Sequence, residues 1–274
     1  MSEATMAEPA VQTFSEDQIG PAVVWRVYGI VPADARLPDL AAVDGAEDLT
    51  DRRLEILGHG PVAAVVEAVD PDRPARRRDL LAHSAVLNAL ALDGPVIPIA
   101  FGSAFAEQEQ IITEFLAAPG AADTLARRLG ELRGHAQFQL RVRYLMDDLL
   151  ARIVASDEQI SALRERTKSL SETDSYHDRV RLGELVTRAV EARQSDDADH
   201  LMDQLAPLAA DSRVSSLSTS TPSTSLAFLV ADSRRGEFEA AAERAAEAMQ
   251  DTAVLELLGP LAAFDFVADL ASER

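Results

Sequence analysis

Apolar positions along the chain change period several times, and each change marks an element. "AVVWRVYGIV" (Ala22–Val31) gathers β-branched and aromatic residues into a short run closed by Pro32, the composition of a strand. Residues 33–50 are rich in Pro, Asp and Gly and keep no period, so an irregular connection is expected. "RLEIL" (Arg53–Leu57) and "VAAVVEAV" (Val62–Val69) flank "GHGP", whose two glycines permit a tight reversal, and a hairpin is expected. Between Arg76 and Leu92 the residues Leu80, Leu81, Val86, Leu87 and Leu90 fall on one helical stripe that ends at Asp93-Gly94. "PVIPIAF" (Pro95–Phe101) is apolar and uncharged, like a strand covered on both faces. Pro98, however, has no N–H for a ladder and requires an edge, a bulge, or a register that turns its nitrogen away. Ile111, Ile112, Phe115 and Leu116 predict a helix over Glu107–Pro119, and "AADTLARRLGELRG" predicts another after Pro119-Gly120. The order β, ββ, α, β, αα closes a sheet covered by helices on one side.

In the second half, "AQFQLRVRYL" (Ala136–Leu145) sets Phe138, Leu140, Val142 and Tyr144 on one face and Gln139, Arg141 and Arg143 on the other, which predicts a half-buried strand. Leu149, Ile153, Ser156, Ile160, Leu163, Thr167 and Leu170 alternate steps of four and three, the spacing of a helical seam. A second helical stretch runs from about Tyr176 to Leu208, so the two predict an antiparallel helical hairpin over about 146–208. "RVSSLSTSTPSTSLAFLVADS" reads as strand, turn near Thr221-Pro222, and strand, because Val214, Leu217, Leu226, Phe228 and Val230 flank its Ser/Thr core. An Ala-rich helix over Gly236–Gln250 and a strand over Ala253–Gly259 follow. The order β, helices, β, β, α, β is that of a split βαβ, ferredoxin-like unit with an enlarged first crossover. The chain is therefore expected to be α+β with two domains, over 21–134 and 135–274, after a flexible acidic tail of residues 1–20.

Charge narrows the function. The chain of 274 residues carries 46 acidic and 26 basic side chains, a net −20, which repels phosphate backbones and anionic lipid. Arg76, Arg77 and Arg78, between Asp72 and Asp79, read as a solvated helix start. There is no cysteine, which excludes disulfides and thiolate chemistry and fits a reducing compartment, so cytoplasm is expected. No apolar run reaches the ~20 residues of a membrane span, since Pro95, Pro98 and Gly102 break the longest candidate. His59, His83, His135, His177 and His200 form no ligand spacing, so neither metal nor cofactor is expected. No GxSxG, GxGxxG or P-loop is present. Asp147-Asp148 and Asp196-Asp197 are adjacent helical residues that diverge around the axis, and a solvated face is expected. His83 and Asn88 are the polar residues left for the alternative reading, a small-molecule enzyme or sensor with an α+β cleft.

"VYGIV", "HSAVLNALALDGPVIPIAFGSAF" and "LLGPLAAFDFV" occur in that order across nearly the whole chain after the tail, and together they resemble the gas vesicle GvpF/GvpL family. The middle block is the most specific: a His on a helix, then a Pro-x-x-Pro strand that leads into Phe101-Gly102. The resemblance implies a ferredoxin-like N-terminal domain, a C-terminal α+β domain with long helices, and an accessory or minor structural role in gas vesicles, the hollow protein shells that give cells buoyancy. It implies the shell protein GvpA and other Gvp proteins as partners, a location at the gas vesicle, and no catalysis. The motif residues it carries over, as structural or partner-contact positions, are Tyr28, Gly29, His83, Asn88, Pro95, Pro98, Phe101, Gly102, Gly259, Pro260, Phe264 and Phe266.

Overall fold

The computed structural model describes residues 23–42, 49, 52–171, 174–218 and 222–267. The tail expected over residues 1–20, and Thr221 of the expected turn, lie outside the described residues. Strands β1 (Val24–Pro32), β2 (Leu54–His59), β3 (Val62–Val69), β4 (Ile97–Pro98) and β5 (Ala104–Phe105) form one sheet, and β6 (His135–Tyr144), β7 (Asp211–Ser218), β8 (Ser223–Ala231) and β9 (Ala253–Leu261) form the other. The first runs β2-β3-β1-β4, with β5 also on β1; the second runs β7-β8-β6-β9. Every pairing is antiparallel. Both sheets thus place their strands in the order second, third, first, fourth, the ferredoxin-like succession.

The first sheet is covered on both faces, not on one. Ala63 and Val65 of β3 pack with Val86, Leu87 and Leu90 of helix α1 (Arg77–Asp93), whereas Val62, Ala64 and Val66 pack with Ile111, Leu116, Leu125 and Leu129 on the other side. The run "VAAVV" carries that signal, because a strand with water on one face would alternate. Leu125 and Leu129 belong to α3 (Ala121–Leu132), while Ile111 and Leu116 belong to a π-helix over Ile111–Leu116 that continues a short turn, α2 (Gln108–Gln110). The helix expected over Glu107–Pro119 is therefore a wider coil. Ile111 and Leu116, both with no exposed surface, stand five positions apart, a spacing that i→i+5 winding brings toward one face.

The strand expected over Pro95–Phe101 narrows to Ile97–Pro98 at the sheet edge, with Ile97 opposite Ile30 and Pro98 opposite Gly29. The Ile99 N–H donates to the Tyr28 carbonyl at 2.9 Å, so the Pro98 nitrogen falls on the open side, where no donor is needed.

In the second sheet Phe138, Leu140, Val142 and Tyr144 share a core with Leu226, Phe228 and Val230 and with Phe238 of α7 (Arg235–Met249). The helical insertion has three helices, not two: α4 (Met146–Ser156), α5 (Glu158–Ser169) and α6 (Tyr176–Leu205). Asp157 breaks the seam, since its carboxylate accepts the Ile160 N–H at 2.9 Å and starts a new helix. Asp197, expected on a solvated face, is buried and paired with Arg193 at 2.9 Å. Burial, with the Asp197 charge next, pushes the Tyr144 hydroxyl up to about 12. The opposite face of β8 is also buried: Ala227 and Leu229 join the cluster of Leu125, Leu129 and Leu132, so the two halves pack together through this cluster.

Candidate functional site

A cleft of about 610 Å³ opens where β4 leaves its sheet. One wall is the start of α1, through Leu80, His83 and Ser84; the floor is Ile97 to Phe101; the far wall is Phe115 and Leu125, closed by Phe264 and Val267. Most of these side chains are apolar, and Leu80 is 47% exposed. Phe101 is half-buried, turned edge-on to the His83 ring at 5.5 Å, with the Arg26 guanidinium 5.2 Å from its centroid. Gly102 then takes φ of 96°, a left-handed turn that a side chain would strain.

Behind the α1 wall lies a buried polar network. The Tyr28 hydroxyl donates to Glu67 Oε2 at 2.6 Å, and its ring stacks on His83 at 4.8 Å. Arg52 donates through Nη1 to Glu67 Oε2 at 2.9 Å and through Nη2 to Asp79 Oδ1 at 3.2 Å. Arg73 reaches the same Asp79 oxygen at 3.1 Å, and the Arg76 N–H caps the other at 3.0 Å. Burial and then the bond to Glu67 push the Tyr28 hydroxyl up to about 12. Burial, aided by the Arg26 and Arg52 charges, holds the His83 imidazole below its ordinary value, against the pull of the Ile99 carbonyl. His83 is therefore neutral at pH 7, with Nε2–H donating to Ile99 O at 2.9 Å.

The C-terminal segment ties the second sheet to this wall. Asn88 of α1 accepts the Ala262 N–H through Oδ1 at 3.0 Å. Asp265 accepts from Gln137 Nε2 at 2.5 Å and from Ser215 Oγ at 2.9 Å, while its N–H donates to Gln137 Oε1 at 2.9 Å. Arg213 donates to the Asp265 carbonyl at 2.6 Å and lies over the Phe266 ring at 4.6 Å.

A family model described as "Gas vesicle synthesis protein GvpL/GvpF" matches residues 25–268. The chain belongs to the GvpL/GvpF family. It is similar to Gas vesicle protein F of Streptomyces sp. (strain CB03234), 27% identical over 241 residues that cover 88% of this chain and 98% of that protein. It shares its fold with crystal structures of GvpF from Anabaena sp. PCC7120 (TM-score 0.70, 19% identity, 90% of this chain and 98% of that one) and from Microcystis aeruginosa (TM-score 0.68, 20% identity, 90% and 99%). As a GvpL/GvpF member the protein has a role in gas vesicle assembly.

Of the residues that the sequence resemblance carries over, His83, Pro98, Phe101 and Phe264 line the cleft, with Tyr28 stacked on His83. Gly29 lies under the wall: a Cβ there would come within 2.9 Å of Ile97 O, Leu87 Cδ2 and Val96 Cγ2. Asn88 acts at a distance, through Ala262. Pro95, Gly259, Pro260 and Phe266 lie elsewhere. Gly259-Pro260 is a cis peptide in β9, and a Cβ on Gly259 would come within 2.6 Å of Phe138 Cδ1. Sequence reasoning did not find Arg26, Arg52 and Glu67, which sit in three different segments; their one signal was a carboxylate in the otherwise apolar run of β3. No group of His, Asp and Glu able to hold a metal occurs among the described residues, and no helix among them is long and apolar enough to cross a membrane.

Proposed function

We propose that this protein supports gas vesicle assembly by receiving an apolar segment of the shell protein GvpA, or of another Gvp accessory protein, in the cleft beside β4, in the cytoplasm or at the growing vesicle. The observation that carries this reading is the cleft itself, an apolar concavity whose lining includes His83, Pro98, Phe101 and Phe264, four of the positions that the family resemblance carries over. A subunit destined for a gas-facing wall exposes apolar surface, which aggregates unless covered. A partner of net charge −20 keeps such a complex dispersed while the segment is covered. The polar side chains lining the cleft, Ser84, Ser103 and His83, favour this over the small-molecule alternative, since His83 donates through Nε2 to the Ile99 carbonyl and its Nδ1 is buried without a hydrogen-bond partner, so no nucleophile is paired with it. The test is co-expression with GvpA followed by pull-down. Phe101→Asp is expected to abolish capture and vesicle formation in a complemented deletion strain while the variant remains folded; normal capture and normal vesicles would reject the proposal.

A further inference from the structure

We infer that the occupant of the cleft is an acidic amphipathic segment, with its apolar side chains in the cleft and its carboxylates against Arg76, Arg77 and Arg78. The inference rests on the cleft being a docking site and adds the chemistry of what docks there. Arg77, Leu80 and Ser84 stand at i, i+3 and i+7 on α1 and Arg76 precedes Leu80 by four, so Arg76 and Arg77 continue the row that forms the cleft wall, with Arg78 next in sequence. All three arginines are exposed, and none forms an ion pair among the described residues. Leu80 and Leu81 beside them are 47% and 58% exposed.

Of the nearby carboxylates, the buried Asp79 and Glu67 are already paired with arginines. Asp79 is buried against Arg52 and Arg73, Glu67 is held by Arg52 and Tyr28, and Asp70 accepts the Asp72 N–H. Asp72 is exposed on the turn before the helix. In this corner six arginines (Arg26, Arg52, Arg73, Arg76, Arg77, Arg78) stand against four carboxylates (Asp70, Asp72, Asp79, Glu67), although the whole chain is −20. The elements that bring Phe115 and Leu125 to the cleft carry the exposed acidic residues Glu114 and Asp123. An occupant whose carboxylates lie along one side is therefore held in one orientation, with that side toward α1.

The test is fluorescence anisotropy of the full chain with two labelled synthetic helices of equal length. One has leucines on one face and glutamates on the flanks; the other has lysines in place of the glutamates. The overall charge of the protein favours the lysine peptide, so the two expectations rank the probes in opposite order. At low salt the glutamate peptide is expected to bind about tenfold tighter, the factor that a few exposed charge pairs supply, and added salt should erode the preference. Combined Arg76→Glu, Arg77→Glu and Arg78→Glu should reverse the ranking, with Arg77→Gln plus Arg78→Gln as the milder variant if the reversal unfolds the chain. Phe101→Asp should lose both peptides.

Equal binding of the two peptides, tighter binding of the lysine peptide, or a ranking that survives the arginine variants would overturn the inference. It also falls if neither peptide binds, or if the arginines instead bring the protein down with phosphatidylglycerol vesicles. Equal binding that Phe101→Asp abolishes removes the charge inference alone. Intact GvpA capture by Phe101→Asp removes the cleft reading and this inference with it.

Discussion

Arg52→Met tests whether the buried network holds the α1 wall in place. Arg52 has only a tenth of its side chain exposed and bridges Glu67 of β3 to Asp79 of α1, at 2.9 and 3.2 Å. Methionine keeps much of the volume but removes the cation, leaving Glu67 and Asp79 buried at 8% and 3% exposure. Removing one partner of a buried ion pair usually costs about 3–5 kcal/mol. Each carboxylate here keeps one further cation, Arg26 at 3.7 Å for Glu67 and half-exposed Arg73 at 3.1 Å for Asp79, which places the expected loss near the lower end, about 3 kcal/mol. For a chain of this size that corresponds to a fall in Tm of roughly 6–12 °C, read by circular dichroism or by Trp25 fluorescence. The loss should depend on pH. Burial raises the Asp79 carboxyl, but the Arg76 N–H, Arg73 and Arg52 outweigh it and hold the group below its ordinary value. Such a depressed group stabilises the fold above its unfolded pKa, and the contribution disappears as pH falls through its folded value. The gap between wild type and variant should therefore be full at neutral pH and shrink as pH drops below about 4, toward the lower folded value. A gap under about 1 kcal/mol, the range of an exposed pair, or a gap that ignores pH, would refute the reasoning.

Two further substitutions probe how the wall is assembled. Asn88→Ala removes the acceptor of the Ala262 N–H and should cost about 1–3 kcal/mol, with faster hydrogen exchange at Ala262 and earlier proteolysis beyond Leu261 as the readouts. Gly29→Ala places a methyl group within 2.9 Å of the Ile97 carbonyl, Leu87 and Val96, an overpacking expected to cost about 1–3 kcal/mol in urea denaturation; an unchanged midpoint would show that α1 and β4 yield freely at this position.

Period and composition made the second sheet legible. Strict alternation over Phe138–Tyr144 marked β6, and the flanking Val, Leu and Phe residues exposed the Ser/Thr-rich stretch as β7 and β8. Where one signal served two readings, the sequence was ambiguous. An apolar run without alternation fits both a buried strand and an edge segment capped by helices, so Pro95–Phe101 looked longer in the ladder than Ile97–Pro98 is. A four-and-three seam cannot reveal a break that preserves its phase, and Asp157 made one through a cap that takes a single residue. Of the residues lining the cleft, His83, Pro98, Phe101 and Phe264 were reached together in the sequence only through the family resemblance. The support of the cleft was not legible, because Arg26, Arg52, Glu67 and Asp79 meet through tertiary contacts that leave no local period.

The stretch from His83 to Gly102 works as one clamp. Ile99 is gripped on both sides, its N–H by the Tyr28 carbonyl and its C=O by His83 Nε2, and this fixes where Phe101 emerges two residues later. Pro98, one residue before the grip, has no N–H on the open side of the ladder, and Gly102 turns the chain away just beyond it. A further strand therefore meets a gap in the donors of this edge. An occupant of the proposed docking cleft would therefore be recognised chiefly through side chains, by the fit of apolar groups against Leu80, Phe101, Phe115 and Phe264. That is why substitution of Phe101, which leaves every backbone bond of the clamp in place, separates docking from folding.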